Sequence, residues 1–385
     1  MKKEITKLHS FDFNKILIYM YALWALIEVF SRSMFSMANI FNKLGIVLLF
    51  IMFLTSLLFV KHSKVQYGWL MIGLIIALCI WSTTSQNEYM LIVFLLFSLS
   101  EVSPKNILKV IIKVVTASLF FIFIASKFNI VPNLIYERNG VVRQSLGMQF
   151  PLVFSAYVFI ILTALVILAQ NNNNKYTIKV SLILIICLFF LEKVTNSRND
   201  ELSILLLLLI VWCSRINTDV IKNITYFLIT FFNITFLISI FITKFISYTN
   251  NSYYYLDKLL SGRIQMQSIL FNYYSIRLFG NNILQIGLGG QAQGSVANYF
   301  YIDNSFTRFL FFGGIAFFIF IITTLIVKLI VLNNQSYSLI SLSLLVVCIN
   351  GIGADSLSIL STSLLLPLFL ISTNKYKEDF YIKED

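Results

Sequence analysis

The residues best suited to chemistry in this chain are arginines and carboxylates, gathered in three segments that interrupt long apolar runs. The first, Phe128 to Pro151, contains Arg138 and Arg143 with only Glu137 between them as a charge of opposite sign. The second is the turn Val194-Thr-Asn-Ser-Arg-Asn-Asp-Glu201, centred on Arg198. The third and longest, Tyr253 to Asn304, carries Ser261-Gly262-Arg263 near its start and Asp303-Asn304 at its end. A guanidinium with no fixed counter-ion presents a planar fork of donors that matches phosphate oxygens. A carboxylate beside it could take a proton from a hydroxyl. Each segment also has a plain structural reading: a solvated loop for the first, an ion-pair cluster of Glu192, Lys193, Arg198, Asp200 and Glu201 for the second, and helix capping by Asp303 and Asn304 for the third.

Within the long segment, the pattern predicts a helix from about Gly262 to Phe279, with Ser261 as its N-cap and Gly280 as its C-cap. Arg263 then lies in the first turn, where free backbone amides and a guanidinium converge on one spot suited to an anion. The glycine-rich run Gly287 to Gly294 lacks the Lys-Ser/Thr of a phosphate-binding loop and reads as a turn.

These segments must be positioned by a membrane scaffold. The 385 residues are 58% hydrophobic and 12% charged, with a mean hydropathy of +0.84, too apolar for a soluble protein of this size. A span needs roughly 20 apolar residues in helical form, because unpaired backbone groups are costly in hydrocarbon. That rule predicts an all-α polytopic membrane protein of about twelve spans, centred on Met20, Leu49, Ile75, Phe94, Phe120, Ile160, Ile185, Leu207, Leu237, Phe317, Val346 and Leu365. Residues 1–385 read as one membrane domain, with residues 247–305 a loop between the ninth and tenth spans. The first apolar run leads straight into further spans and reads as an uncleaved helix. Glu28, inside it, is expected to reach for water at the helix end.

Orientation follows from the basic connections. Lys2, Lys3 and Lys7, then Lys61 and Lys64, Lys105 and Lys109, Lys175 and Lys179, Arg215 and Lys222, and finally Lys375 and Lys377 fall on one side, which places both termini in the cytoplasm. The three reactive segments break the rule by carrying positive charge outside. Because the apolar runs flanking Arg198 are short, that residue is expected near bilayer depth, facing protein or a watery cavity. The net charge of +12 is scattered in ones and twos, which a membrane surface and an anionic substrate head group explain better than nucleic acid does. Cys79, Cys187, Cys213 and Cys348 lie in apolar runs without paired spacing, which argues against disulfides and a zinc site.

In order along the chain, Arg143-Gln-Ser-Leu-Gly147, Thr195-Asn-Ser-Arg198, Ser261-Gly-Arg263, Leu278-Phe-Gly280, Asp303-Asn304 and Gly313-Gly-Ile315 resemble segments of the bacterial O-antigen polymerases and the related O-antigen ligases. The resemblance covers about two thirds of the chain and implies a GT-C-like membrane glycosyltransferase of the bacterial plasma membrane. Such an enzyme transfers a growing glycan from a polyprenyl pyrophosphate to the end of another lipid-linked repeat unit, building capsule, exopolysaccharide or O-antigen. By the same resemblance, Arg143, Arg198 and Arg263 bind or stabilise the pyrophosphate. The acceptor hydroxyl still needs a base, for which Asp303, Glu192 and Asp355 are the candidates and Asp303 is preferred. Asp303, Arg263 and Arg198 are thus read as catalytic, and Arg143, Arg138, Asn304, Ser261 and Gly280 as substrate-binding. No cofactor or metal is implied. The partners are the lipid-linked donor and acceptor and the membrane, with a flippase and a chain-length regulator of the same pathway. The ligase branch uses an outer histidine, whereas His9 and His62 both lie on the cytoplasmic side here, which favours a polymerase. The rival reading from another class is a transporter or a flippase of lipid-linked sugars.

Overall fold

The computed structural model describes residues 12–138, 140–170, 174–213, 217–245, 254–255, 257–258, 262–287 and 298–380, with the backbone alone at 174–176 and 245. Ser261 and most of the glycine-rich run lie outside the described residues. The elements in order are α1 (Phe13–Ser31), α2 (Ala38–Phe59), α3 (Lys64–Thr84), α4 (Glu88–Ser98), α5 (Pro104–Lys127), β1 (Ile135–Arg138), β2 (Val141–Gln144), α6 (Pro151–Ala169), α7 (Asn174–Val194), α8 (Arg198–Cys213), α9 (Thr218–Phe245), α10 (Arg263–Tyr273), α11 (Ser305–Phe311), α12 (Gly314–Asn334), α13 (Ser338–Gly353) and α14 (Thr373–Asp379).

Seven of these, α1, α2, α3, α5, α6, α9 and α12, are long and apolar enough to cross a membrane. Large apolar side chains stand exposed along the helices, among them Leu58, Ile72, Phe189, Leu209, Phe227 and Ile319. In water such a surface would be an aggregation hazard; against lipid tails it is the stable arrangement. The chain is an α-helical membrane protein with one small β-hairpin that the sequence pattern did not predict.

Seven of the twelve expected spans coincide with these helices, those around Ile185, Leu207 and Val346 are the helices α7, α8 and α13 outside that set, and the remaining two take another form. The run around Phe94 is the 11-residue helix α4, about 16 Å long, almost wholly buried among its neighbours. The run around Leu365 is no continuous helix: from Asp355 to Ile371 the chain passes through two 3-10 turns, Leu360–Thr362 and Leu366–Phe369. Its composition explains this. Pro367 lacks an amide hydrogen, and hydroxyls compete for backbone carbonyls, as where Ser358 and Ser363 donate to Asp355 and Leu360, both at 2.9 Å. Irregular backbone at membrane depth must be buried and paired. Here Tyr21 donates to the Leu364 carbonyl (2.8 Å), Tyr157 to Ser361 (3.1 Å) and Lys328 to Ile371.

The bundle has two polar ends. At one, Arg32 after α1, the hairpin, the start of α8 and Asp303 before α11 come together; at the other lie the α2–α3 connection, Ser100 to Pro104 and α14. Lys328, fourteen residues into α12, belongs to the second end, about 21 Å from Gly314. The long segment is clasped to the first end largely through backbone, helped by the Thr83 hydroxyl, which donates to Phe279 O (3.1 Å), and by Asn281 Nδ2, which donates to Phe311 O (3.0 Å). The first-turn amides of α12, on Ile315 and Ala316, donate to the carbonyls of Arg277 (3.0 Å) and Leu278 (3.1 Å), and Asn281 N donates to Phe311 O (3.0 Å). A Cβ on Gly280, whose φ is +78°, would lie 1.9 Å from the Phe312 carbonyl oxygen, so the clasp requires glycine there.

Candidate functional site

The hairpin is the first positioning device. Its register pairs Tyr136 with Arg143 and Arg138 with Val141, so Tyr136, Arg138 and Arg143 share one face. Two like charges side by side need fixed acceptors, and the α7–α8 turn supplies them. Asn196 is left-handed (φ +47°) and ends α7, the amides of Thr195 and Asn196 both donating to Leu191 O at 2.8 Å. That turn aims carbonyls at the hairpin: Arg143 Nε donates to Thr195 O (2.6 Å), and Arg138 Nη2 donates to Asn196 O and Oδ1 (2.7 Å each). The Thr-Asn-Ser-Arg turn therefore serves through the Thr195 and Asn196 carbonyls and the Asn196 side-chain oxygen. Arg198 opens α8 with an exposed side chain and is not part of the cavity wall, while the next two residues, Asn199 and Asp200, line it.

That cavity has a volume of about 450 Å³. Arg32, Arg138, Arg143 and Arg263 line it with Asp200, Asp303 and Asp355; Phe150, Pro151, Leu152, Val153 and Ala156, at the start of α6, form an apolar wall. Pro151 opens α6, whose N-terminus has no side-chain cap, so the helix dipole also favours an anion there. Among the described residues, the one carboxylate within 4 Å of any of these arginines is Asp303, 3.2 Å from Arg263 Nε. Asp355 accepts from Tyr301, and Asp200 accepts from Ser155 (2.5 Å) and Asn350 (2.9 Å). Arg32, Arg138 and Arg143 are therefore left with no carboxylate partner, and Arg32 Nε and Arg143 Nη2 are buried without any partner.

The electrostatics follow from this crowding. Burial, and then the charges of Arg138 and other arginines, lower Arg143 to about 10, which leaves it cationic at neutral pH. Arg138 is lowered for the same reasons, Arg198 and Arg263 being its charged neighbours. Burial raises the Asp303 carboxyl above the ordinary carboxylate value, Arg263 opposes that rise, and Asp355 adds to it. Tyr299 is pushed up to about 12 and Tyr301 well above its ordinary value, chiefly by burial. Both stay protonated and can donate.

Other expectations are corrected. The helix of the long segment ends at Tyr273, six residues before the expected Phe279, and its N-cap is Gly262 at φ +83°. One of its first-turn amides is already taken, Gln265 N donating to Asp257 Oδ1 (2.9 Å). Gly280 belongs to the clasp and lies outside the cavity wall. Asn304 accepts from the amides of Phe306 (2.9 Å) and Thr307 (3.0 Å) and donates to Ser239 (3.2 Å), which makes it the cap of α11. Among the described residues, Glu192, Lys193, Arg198, Asp200 and Glu201 form no ion pair. Glu28 does not reach water; it is buried against Gly45, where a Cβ would meet its Oε1 at 2.5 Å.

Sequence reasoning missed Arg32 and Arg308. Arg308, on α11, is buried with Nη1 unpartnered, and its guanidinium lies over the Tyr301 ring at 5.7 Å and the Phe312 ring at 5.3 Å. A charge placed directly against an apolar run was the available signal in both cases. Among the described residues, no three of His, Cys, Asp and Glu converge as a metal site. Comparison of the chain with protein-family models, curated proteins and solved structures gives no match.

Proposed function

We propose that this protein polymerises lipid-linked oligosaccharide repeat units at the outer face of a bacterial plasma membrane, using a polyprenyl pyrophosphate donor. The observation that carries this reading is one cavity holding three arginines without carboxylate partners, a carboxylate of raised pKa and an apolar wall. A pyrophosphate with a polyprenyl tail has the matching pattern of a doubly charged head and an apolar chain. Lys61, Lys64, Lys105, Lys375 and Lys377 lie toward the opposite end, and the positive-inside trend supports the reading that this end faces the cytoplasm and the cavity the outer side.

In this reading Arg143 and Arg138, held by the α7–α8 carbonyls, and Arg32 bind the pyrophosphate. Their fixed donors stabilise the charge that grows as the bond from the anomeric carbon to the phosphate oxygen breaks and its electron pair leaves on pyrophosphate. Asp303 accepts the proton of the acceptor hydroxyl as that oxygen bonds to the anomeric carbon. Arg263 keeps Asp303 ionised and aimed.

The test is made in the native host. Asp303→Asn and Arg143→Gln should each leave single repeat units on the lipid carrier, exposed at the outer leaflet, with long chains lost. Normal chain length in both variants would remove this cavity from the reaction. Units accumulating on the inner leaflet would support a flippase instead.

A further inference from the structure

The segment between the clasp and α11 has an alternation that the reading above does not use. Tyr299, Tyr301 and Asp303 line the cavity, while the residues between them, Phe300 and Ile302, do not: Ile302 is 1% exposed in the core, and the next residue after the row, Asn304, caps α11. The segment is held in this register. Phe300 and Ile286 exchange backbone hydrogen bonds (3.0 and 2.9 Å), and Ile302 N donates to Gln285 Oε1 (3.0 Å). In an extended chain, alternate side chains share a face and lie about 7 Å apart. The result is a row of two phenol rings and a carboxylate along one wall.

We infer that this row is the acceptor-sugar subsite, with a pyranose ring lying on Tyr299 and its reactive hydroxyl directed at Asp303; the inference rests on the polymerase reading. Sugars present an apolar C–H face, which packs on an aromatic ring, and a rim of hydroxyls, which donate to carboxylates. Both partners are present. Tyr299 is 41% exposed, so its ring is open to a ligand. Tyr301 is fixed, its ring backed by Arg308 and its hydroxyl donating to Asp355, which holds that second carboxylate in place as an acceptor for sugar hydroxyls. The carboxylates also make this wall unfavourable for a phosphate, so it complements the arginine wall. The cavity is thereby divided, pyrophosphate toward the hairpin and α6, acceptor sugar toward residues 299–303.

The experiment uses the full-length protein in nanodiscs and the lipid-linked repeat unit isolated from cells lacking the gene. Mild acid releases from that unit a free oligosaccharide, which keeps the acceptor end and has lost the leaving group. Product is the oligosaccharide lengthened by one unit. Tyr299→Ala should raise the KM for the free oligosaccharide about tenfold, with the donor KM little changed, and Tyr299→Phe should behave like the wild type because the ring and not the hydroxyl is used. An unchanged acceptor KM in Tyr299→Ala, or equal rises for donor and acceptor, overturns the assignment while leaving the polymerase reading intact. A wild-type protein that forms no lengthened product overturns both.

Discussion

Lys328 and Arg143 are both buried basic side chains, and the two ends of the bundle treat them differently. At the end away from the cavity, Lys328 donates to the Ile371 carbonyl and sits 4.4 Å from the centre of the Tyr376 ring. Its neighbours are equally occupied. Asp379 Oδ2 accepts from Ser103 Oγ (2.5 Å) and Lys105 N (2.9 Å), and His62 lies between Ser56 and Ser100 at 3.1 and 3.2 Å. At the cavity end, guanidinium donors are left over. Among the described side chains, four buried nitrogens lack a partner: Trp24 Nε1, Arg32 Nε, Arg143 Nη2 and Arg308 Nη1. Two belong to arginines that line the cavity, Arg32 and Arg143; Arg308, outside the cavity wall, has Glu88 Oε2 at 4.0 Å from its Nη2. Buried donors are normally paired, because leaving one unpaired costs on the order of 1–3 kcal/mol. Unspent donors concentrated in one place are what a site awaiting an anion requires, whereas at the far end the unpartnered buried atoms are acceptors, Asn14 Oδ1, Asn333 Oδ1 and Gln335 Oε1. That end, saturated in its donors, is a structural seal.

The contrast can be broken by mutation, and the largest effect should come from the carboxylate. Asp303→Asn keeps the shape but removes the proton acceptor, and polymer formation should fall about 10³-fold; a loss of less than about tenfold would pass the role of base to another group. Arg143→Gln comes next, with an expected fall of about 10²-fold in turnover by the purified protein. An Arg143→Gln protein that turns over normally would show that its spare donor is structural. A smaller change concerns pH. Asp303 must be ionised to accept a proton, and its raised pKa means that activity is lost on the acid side at a higher pH than for a free carboxylate. Arg263→Gln removes the charge that opposes this rise, so the acid limb should move to still higher pH. A limb that stays in place would separate Arg263 from the titrating group. The smallest effect is expected at the saturated end, where Lys328→Met should leave turnover unchanged; a large loss there would erase the distinction between the two ends.

Much of the cavity end was legible in the sequence because charge in an apolar chain is conspicuous. Arg138, Arg143, Arg263 and Asp303 were read from segments that break the basic-side rule, and the fold brings all four to one cavity. What was not legible depended on direction. Arg198 is one residue from Asn199 and two from Asp200, yet the helical turn between successive side chains places it outside the cavity wall that they line. Asn304 and Gly280 are polar or small for reasons of capping and close approach, which a list of residue types does not separate from ligand binding. Hydropathy also could not distinguish lipid-facing helix from buried 3-10 chain around Leu365, since both are apolar. The hydroxyls of Ser356, Ser358, Ser361, Thr362 and Ser363, close to Pro367, were the signal that this crossing is irregular.

The central claim is that the unspent guanidinium donors take a pyrophosphate. Its most direct test is equilibrium binding of undecaprenyl pyrophosphate and undecaprenyl phosphate to the full-length protein in nanodiscs. The account predicts that the pyrophosphate binds at least about tenfold more tightly than the monophosphate, that Arg143→Gln removes this preference, and that Lys328→Met retains it. Equal binding of the two lipids by the wild type, or a preference that survives in Arg143→Gln, would contradict it.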